Sequence, residues 1–105
     1  MLCFASDFIK KVPVSADIGS MAKKVKILLV EDDKKFAESL NRLLTTEGYE
    51  VVHAEKPQTA ISYAKLQHFD AAIVDCMLPQ MNGVDLGTKL KEITGNGISL
   101  YLMSG

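Results

Sequence analysis

Residues 71–83, AAIVDCMLPQMNG, decide how the rest of the sequence is interpreted. The apolar residues 71–74 run directly into Asp75, and a short apolar run bounded by turn residues is typical of a buried strand in a parallel sheet. Pro79 and Gly83 follow at turn spacing, so the chain bends away from Asp75. Because sites in open α/β sheets lie at the carboxyl ends of the strands, Asp75 is expected at a site.

Further apolar runs alternate with helical patterns on both sides of this stretch. Strands are predicted at residues 25–30, 49–54, 71–75 and 98–103, the second being more polar and therefore an edge strand. The β-α-β-α-β-α-β alternation predicts a parallel sheet with right-handed crossovers. Three helices are predicted by apolar faces formed by Phe36, Leu40, Leu43 and Leu44, by Ala60, Ile61 and Ala64 with Leu66 from a neighbouring row, and by Val84, Leu86, Leu90 and Ile93.

Composition limits the class of protein. The chain has 105 residues, 48% of them hydrophobic, and a formal net charge of −1, which disfavours a general nucleic-acid or membrane-surface binder. Cys3 and Cys76 suit free thiols in a reducing compartment, and we expect a cytoplasmic protein without a membrane segment.

Residues 1–24 show no sustained periodicity and are expected to be a poorly ordered N-terminal extension, whereas residues 25–105 form the domain. Met21 is a candidate natural start. The competing interpretation is that residues 1–24 form a short amphipathic arm that binds a partner.

Polar residues follow three of the predicted strands, namely residues 31–33 (Glu-Asp-Asp), Asp75 and Ser104. Converging carboxylates repel one another unless a cation neutralises them, and hard oxygen ligands suit Mg²⁺. Asp75 is then a candidate nucleophile for forming an aspartyl phosphate, and the Ser104 hydroxyl a donor to the phosphoryl oxygens. Taken singly, these residues are explained more simply, because Asp32 or Asp33 can cap the following helix and Asp75 can be a turn residue.

The histidines and Cys76 are not expected to take part in catalysis or metal binding. His53 and His68 lack the spacing of metal ligands and are expected at the surface or in loops. Strand alternation is expected to turn Cys76 away from Asp75 and into the core.

In combination, these features resemble the receiver domain of two-component response regulators. The matching stretches are VKILLVEDD at 25–33, GYEV at 48–51, DAAIVDCMLPQMNG at 70–83 and ISLYLMSG at 98–105. The resemblance implies a flavodoxin-like, doubly wound parallel α/β sheet with strand order 2-1-3-4. It also implies a phosphoacceptor that receives a phosphoryl group from a histidine kinase or a phosphotransfer protein.

The resemblance assigns roles to individual residues. Asp75 matches the phosphoacceptor. Glu31 and Asp32 match the acidic pair that holds Mg²⁺ together with Asp75, Asp32 directly and Glu31 through water. Met77 matches the position whose backbone carbonyl is a metal ligand. Ser104 matches the hydroxyl that reorients toward the phosphoryl group.

The sequence also departs from the family pattern, since it stops after the fourth predicted strand. The fourth helix, the fifth strand with its lysine and the fifth helix have no counterpart. We therefore expect a truncated receiver whose exposed fourth strand favours oligomers or partner dependence. Two alternatives remain open. One is a phosphorylation-independent interaction module or nonfunctional fragment. The weaker one is a metal-dependent phosphatase, for which Met77 stands where a second carboxylate is needed.

Overall fold

The computed structural model of the chain describes residues 24–103. The predictions for residues 1–23, for Ser104 and for Gly105 therefore lie outside the described residues. Within residues 24–103, no helix combines the length and the apolar character that crossing a bilayer requires.

Four parallel strands form one sheet in the order β2-β1-β3-β4. The order confirms the flavodoxin-like, doubly wound topology expected from the resemblance, with the polar second strand at an edge. Helices connect consecutive strands, as the β-α alternation predicts. The elements are β1 (Lys26–Val30), α1 (Lys34–Thr46), β2 (Glu50–Ala54), α2 (Pro57–Leu66), β3 (Ala71–Asp75), α3 (Gly83–Ile93) and β4 (Ser99–Met103).

The two central strands are buried on both faces of the sheet, which is why both are continuously apolar. In β1, alternate residues enter different clusters. Ile27 and Leu29 pack with α1, whereas Leu28 and Val30 pack on the side of α2 and α3. All four are fully buried. Helices on both faces thus leave the strand ends as the part of the sheet that can build a site.

Helix α1 begins after one of the two residues, Asp32 and Asp33, that the sequence offers as its cap. The side chain of Asp33 accepts hydrogen bonds from the backbone N–H groups of Lys35 and Phe36 at 3.0 and 3.2 Å, which identifies it as the N-cap. At the other end, Gly48 adopts a φ of 97°, a conformation that favours glycine. Asp33 is therefore committed to capping.

In each of the other two helices, one apolar residue that was expected on the buried face is exposed. Leu66 on α2 is 81% exposed and Val84 on α3 is 51% exposed, although both were expected on apolar faces. Ala64 and Leu86 are buried on those faces. Each exposed residue lies two positions from its buried neighbour, which is about 200° around a helix. Both side chains consequently point away from the sheet.

Helix α3 starts in close contact with the end of β3. A Cβ atom placed on Gly83 would collide with the backbone oxygen of Asp75 and lie 2.7 Å from the Cα of Cys76. Backbone atoms cannot move aside as a flexible side chain can. The absence of a side chain at Gly83 thus sets the distance between α3 and the strand that carries Asp75.

We predict that Gly83→Ala lowers the free energy of unfolding by about 2 kcal/mol or more, because β3 and α3 must separate. Gly87→Ala is the matched control on the same helix. Its added methyl would meet the side chain of Leu100, which is only partly buried and can change rotamer. Urea denaturation monitored by circular dichroism measures both changes. Equal stability of the two variants would contradict the close-approach explanation.

Candidate metal and phosphoacceptor site

Three carboxylates converge at the carboxyl edge of the sheet. The parallel pairing of β1 with β3 aligns Val30 with Val74, so Glu31 and Asp75 leave the sheet side by side. Glu31, Asp32 and Asp75 each offer a carboxylate oxygen, and these three oxygens lie within 4.8 Å of one another. The structure thus brings together the acidic residues singled out in the sequence.

Glu31 is the unusual member of this trio, because its side chain is only 5% exposed. One carboxylate oxygen accepts a hydrogen bond from the Asp33 backbone N–H at 3.0 Å. Burial and the neighbouring charge of Asp75 raise the pKa of Glu31 to about 7, although the Asp33 hydrogen bond acts in the opposite direction. Without a bound cation, Glu31 therefore keeps its proton to a higher pH than an exposed glutamate does.

Asp75 is half-buried at the end of β3, with its carboxylate oriented by the loop that follows. Its Oδ1 accepts a hydrogen bond of 2.9 Å from the backbone N–H of Met77. The Met77 side chain is 76% exposed, so packing does not dictate its identity. The contribution of the Met77 carbonyl to metal binding stays a prediction.

The loop after Asp75 is tied to two different elements through Cys76. The Cys76 N–H donates to the carbonyl of Met103 on β4 at 2.9 Å, and its carbonyl accepts from Gly83 on α3 at 3.2 Å. This corrects the expectation of a core cysteine. Cys76 is half-buried and belongs to neither core cluster, because it lies one residue past the end of β3, where the ladder to β4 stops.

His53 contributes a contact that the sequence analysis missed. Its Nε2 lies 2.8 Å from the backbone carbonyl oxygen of Glu31, and its side chain is half-buried on β2. This contact could be predicted only from the register of β1 and β2, which pairs His53 with Leu29, two residues before Glu31. The loop placement expected for His68 is confirmed, since it is exposed and contacts Asp70 at 3.1 Å.

Comparison with known proteins settles the family. The family model described as the response regulator receiver domain matches residues 27–105. This chain belongs to the receiver domain family.

Individual relatives agree with the family assignment. The chain is 39% identical over 80 residues to the probable transcriptional regulatory protein SilR of Salmonella typhimurium, a match that covers 76% of this chain and 35% of SilR. The receiver thus spans about a third of the curated relatives that it matches.

Two solved structures of family members superpose on this chain. A response regulator of Burkholderia pseudomallei with a phosphorylated aspartic acid and a calcium ion has a TM-score of 0.72 at 26% identity, over 79% of this chain and 48% of the other. The regulator TrrA of Thermotoga maritima in complex with Mg²⁺-BeF also has a TM-score of 0.72 at 26% identity, over 78% of this chain and 70% of the other.

The raised pKa of Glu31 predicts a specific dependence of stability on pH. Below about pH 4.5, Glu31 is protonated in the folded and the unfolded chain, and its contribution to stability is fully present. Between about pH 4.5 and 7 only the folded chain keeps the proton, so in metal-free buffer the free energy of unfolding falls by up to about 3 kcal/mol.

Glu31→Gln is expected to remove this part of the pH dependence, as measured by urea titrations from pH 4 to 8 with a chelator present. The exposed Glu38, on α1, provides the control Glu38→Gln, which keeps the wild-type slope. A slope unchanged in Glu31→Gln would show that the buried carboxylate is ionised throughout.

Proposed function

We propose that residues 25–105 act as a phosphoacceptor module that receives a phosphoryl group onto Asp75 with Mg²⁺ bound beside it. The donor is a histidine kinase or a phosphotransfer protein. Asp32 and Asp75 hold the metal directly with their carboxylates, Glu31 holds it through water, and Met77 contributes its backbone carbonyl. The observation that carries the proposal is the convergence of three carboxylate oxygens within 4.8 Å in a member of the receiver family.

The residues present fit a hard divalent cation. All of the side-chain donors are carboxylate oxygens, which are the ligands that Mg²⁺ prefers. A buried glutamate whose pKa is raised to about 7 by burial and by Asp75 indicates a site that lacks positive charge. The Mg²⁺-BeF complex of TrrA and the phosphorylated, calcium-containing regulator support the same assignment.

Phosphoryl transfer in this site depends on how Asp75 is held. The Met77 N–H fixes Oδ1, so the carboxylate is oriented before a donor arrives. A carboxylate oxygen attacks the phosphorus atom, the bond from phosphorus to the donor breaks, and an aspartyl phosphate forms. Mg²⁺, when bound, neutralises charge on the phosphoryl oxygens. The hydroxyl of Ser104 is proposed to donate a hydrogen bond to the phosphoryl group.

This role is that of a signalling module rather than of an enzyme that turns over a separate substrate. We propose a cytoplasmic location, where histidine kinases present their phosphorylated domains. Direct contact with nucleic acid is not part of the proposal, because the net charge of −1 provides little attraction for phosphate backbones.

Incubation with acetyl phosphate and Mg²⁺, followed by intact-mass analysis, tests the phosphoacceptor. Wild type is expected to gain a labile phosphoryl adduct that disappears when Mg²⁺ is chelated before incubation. Asp75→Asn removes the nucleophile and should gain none. Asp85→Asn makes the same change on the exposed surface of α3 and should leave the adduct intact. An adduct on Asp75→Asn, or none on folded wild type, would refute the proposal.

Neighbouring aspartates allow a matched test of the metal ligands. Asp32→Asn is expected to weaken Mg²⁺ binding at least tenfold, as measured by isothermal titration calorimetry, because it removes a charged oxygen ligand. Asp33→Asn should leave the affinity within about twofold, since Asp33 caps α1 and asparagine caps a helix nearly as well. Equal losses in both variants would mean that total negative charge, rather than coordination, governs binding.

A further inference from the structure

We propose that His53 is a positioning residue for the metal site, acting through the backbone of Glu31. The inference rests on the proposed function, because it concerns the same metal site. The Nε2 atom of His53 lies 2.8 Å from the carbonyl oxygen of Glu31. A backbone carbonyl can only accept a hydrogen bond, so His53 must carry a proton on Nε2 and donate it.

The contact completes the attachment of Glu31 to the edge strand. The ladder between β1 and β2 ends at the pair formed by Val30 and Ala54. Beyond it, the Glu31 N–H still donates to the Ala54 carbonyl at 3.1 Å. The Glu31 carbonyl would continue the ladder only if β2 ran further, and the His53 side chain supplies the donor instead. Both polar groups of the Glu31 main chain are thereby held by β2.

Holding this carbonyl also orients the residue that follows. The peptide linking Glu31 to Asp32 is planar, so fixing its oxygen fixes the direction of the Asp32 N–Cα bond. Asp32 is exposed, and its carboxyl group is in hydrogen-bonding contact with that of Glu31. The next residue, Asp33, is fixed separately, because its N–H donates to the Glu31 carboxylate and its side chain caps α1. His53 therefore restrains the peptide that joins the neighbouring carboxylates of Glu31 and Asp32.

The position of His53 in the fold supports a specific hydrogen bond to the Glu31 carbonyl rather than an incidental surface contact. His53 is half-buried, and its strand partner Leu29 belongs to the core cluster beneath α1. His53 also lines an open groove of about 410 Å³, together with Ala37 and Asn41 and the exposed Lys34, Lys35 and Glu38 of α1. Side chains in strands lean along the strand direction. The His53 side chain can therefore reach Glu31, which lies two residues beyond its strand partner Leu29.

The test compares Mg²⁺ affinity by isothermal titration calorimetry in four proteins: wild type, His53→Leu, His53→Gln and Val52→Ala. Leucine is of similar size to histidine but cannot donate, and we expect it to weaken Mg²⁺ binding about three- to tenfold. Glutamine places an amide donor at a similar reach and should restore the affinity to within about twofold. Val52→Ala reports on stability alone, because Val52 packs against the core cluster on the α2 and α3 side.

A second readout separates positioning from general damage. The initial rate of phosphorylation by acetyl phosphate is measured over a range of Mg²⁺ concentrations. His53→Leu should need more Mg²⁺ to reach half of its maximal rate while keeping the wild-type maximum. A loss of maximal rate at saturating Mg²⁺ would overturn the inference, because the defect would then lie outside metal binding.

The remaining outcomes distinguish a failure of the inference about His53 from a failure of the proposed metal site. If wild type and His53→Leu bind Mg²⁺ equally, the inference fails and the proposed function stands. If His53→Gln is as weak as His53→Leu, or if Val52→Ala weakens binding to the same extent, donation by His53 is not the cause and the inference again fails. If wild type itself binds no Mg²⁺, both the inference and the metal site of the proposed function are overturned.

Discussion

The parallel pairing of β1 with β3 is the constraint on which the rest of the structure depends. Both strands are buried on both faces, so their register is fixed by two core clusters at once. That register places Glu31 beside Asp75 and brings like charges together where the apolar runs end. The free energy of the core thus offsets the repulsion among the carboxylates, together with the local N–H donors that Asp33 and Met77 supply.

The sequence was informative where burial and turn chemistry act locally. Four short apolar runs, each bounded by turn residues, predicted the four strands. The cap of α1 was predicted as Asp32 or Asp33, and Asp33 is the residue that caps it, because capping is a property of single residues. The converging strand ends followed from the topology, since parallel strands carry their carboxyl ends to one edge.

The features that the sequence did not predict depend on geometry between elements. Leu66 and Val84 are apolar residues that fall on the wrong side of their helices, and a pattern of apolar residues does not distinguish them from core positions. Cys76 is only half-buried because it follows the last residue of β3, and the sequence did not show where that strand ends relative to the core. The contact of His53 with Glu31 spans 22 residues of sequence and exists only because β2 lies beside β1.

The double attachment of Cys76 has a thermodynamic consequence for Asp75. A loop held by β4 on one side and by α3 on the other has few alternative conformations left, so its configurational entropy is lost when the chain folds. An encounter with a partner then requires little further ordering of the carboxylate, and more of the interaction free energy remains available for association. The residue that receives the phosphoryl group in our proposal is thus preorganised by a neighbour with no chemical role of its own.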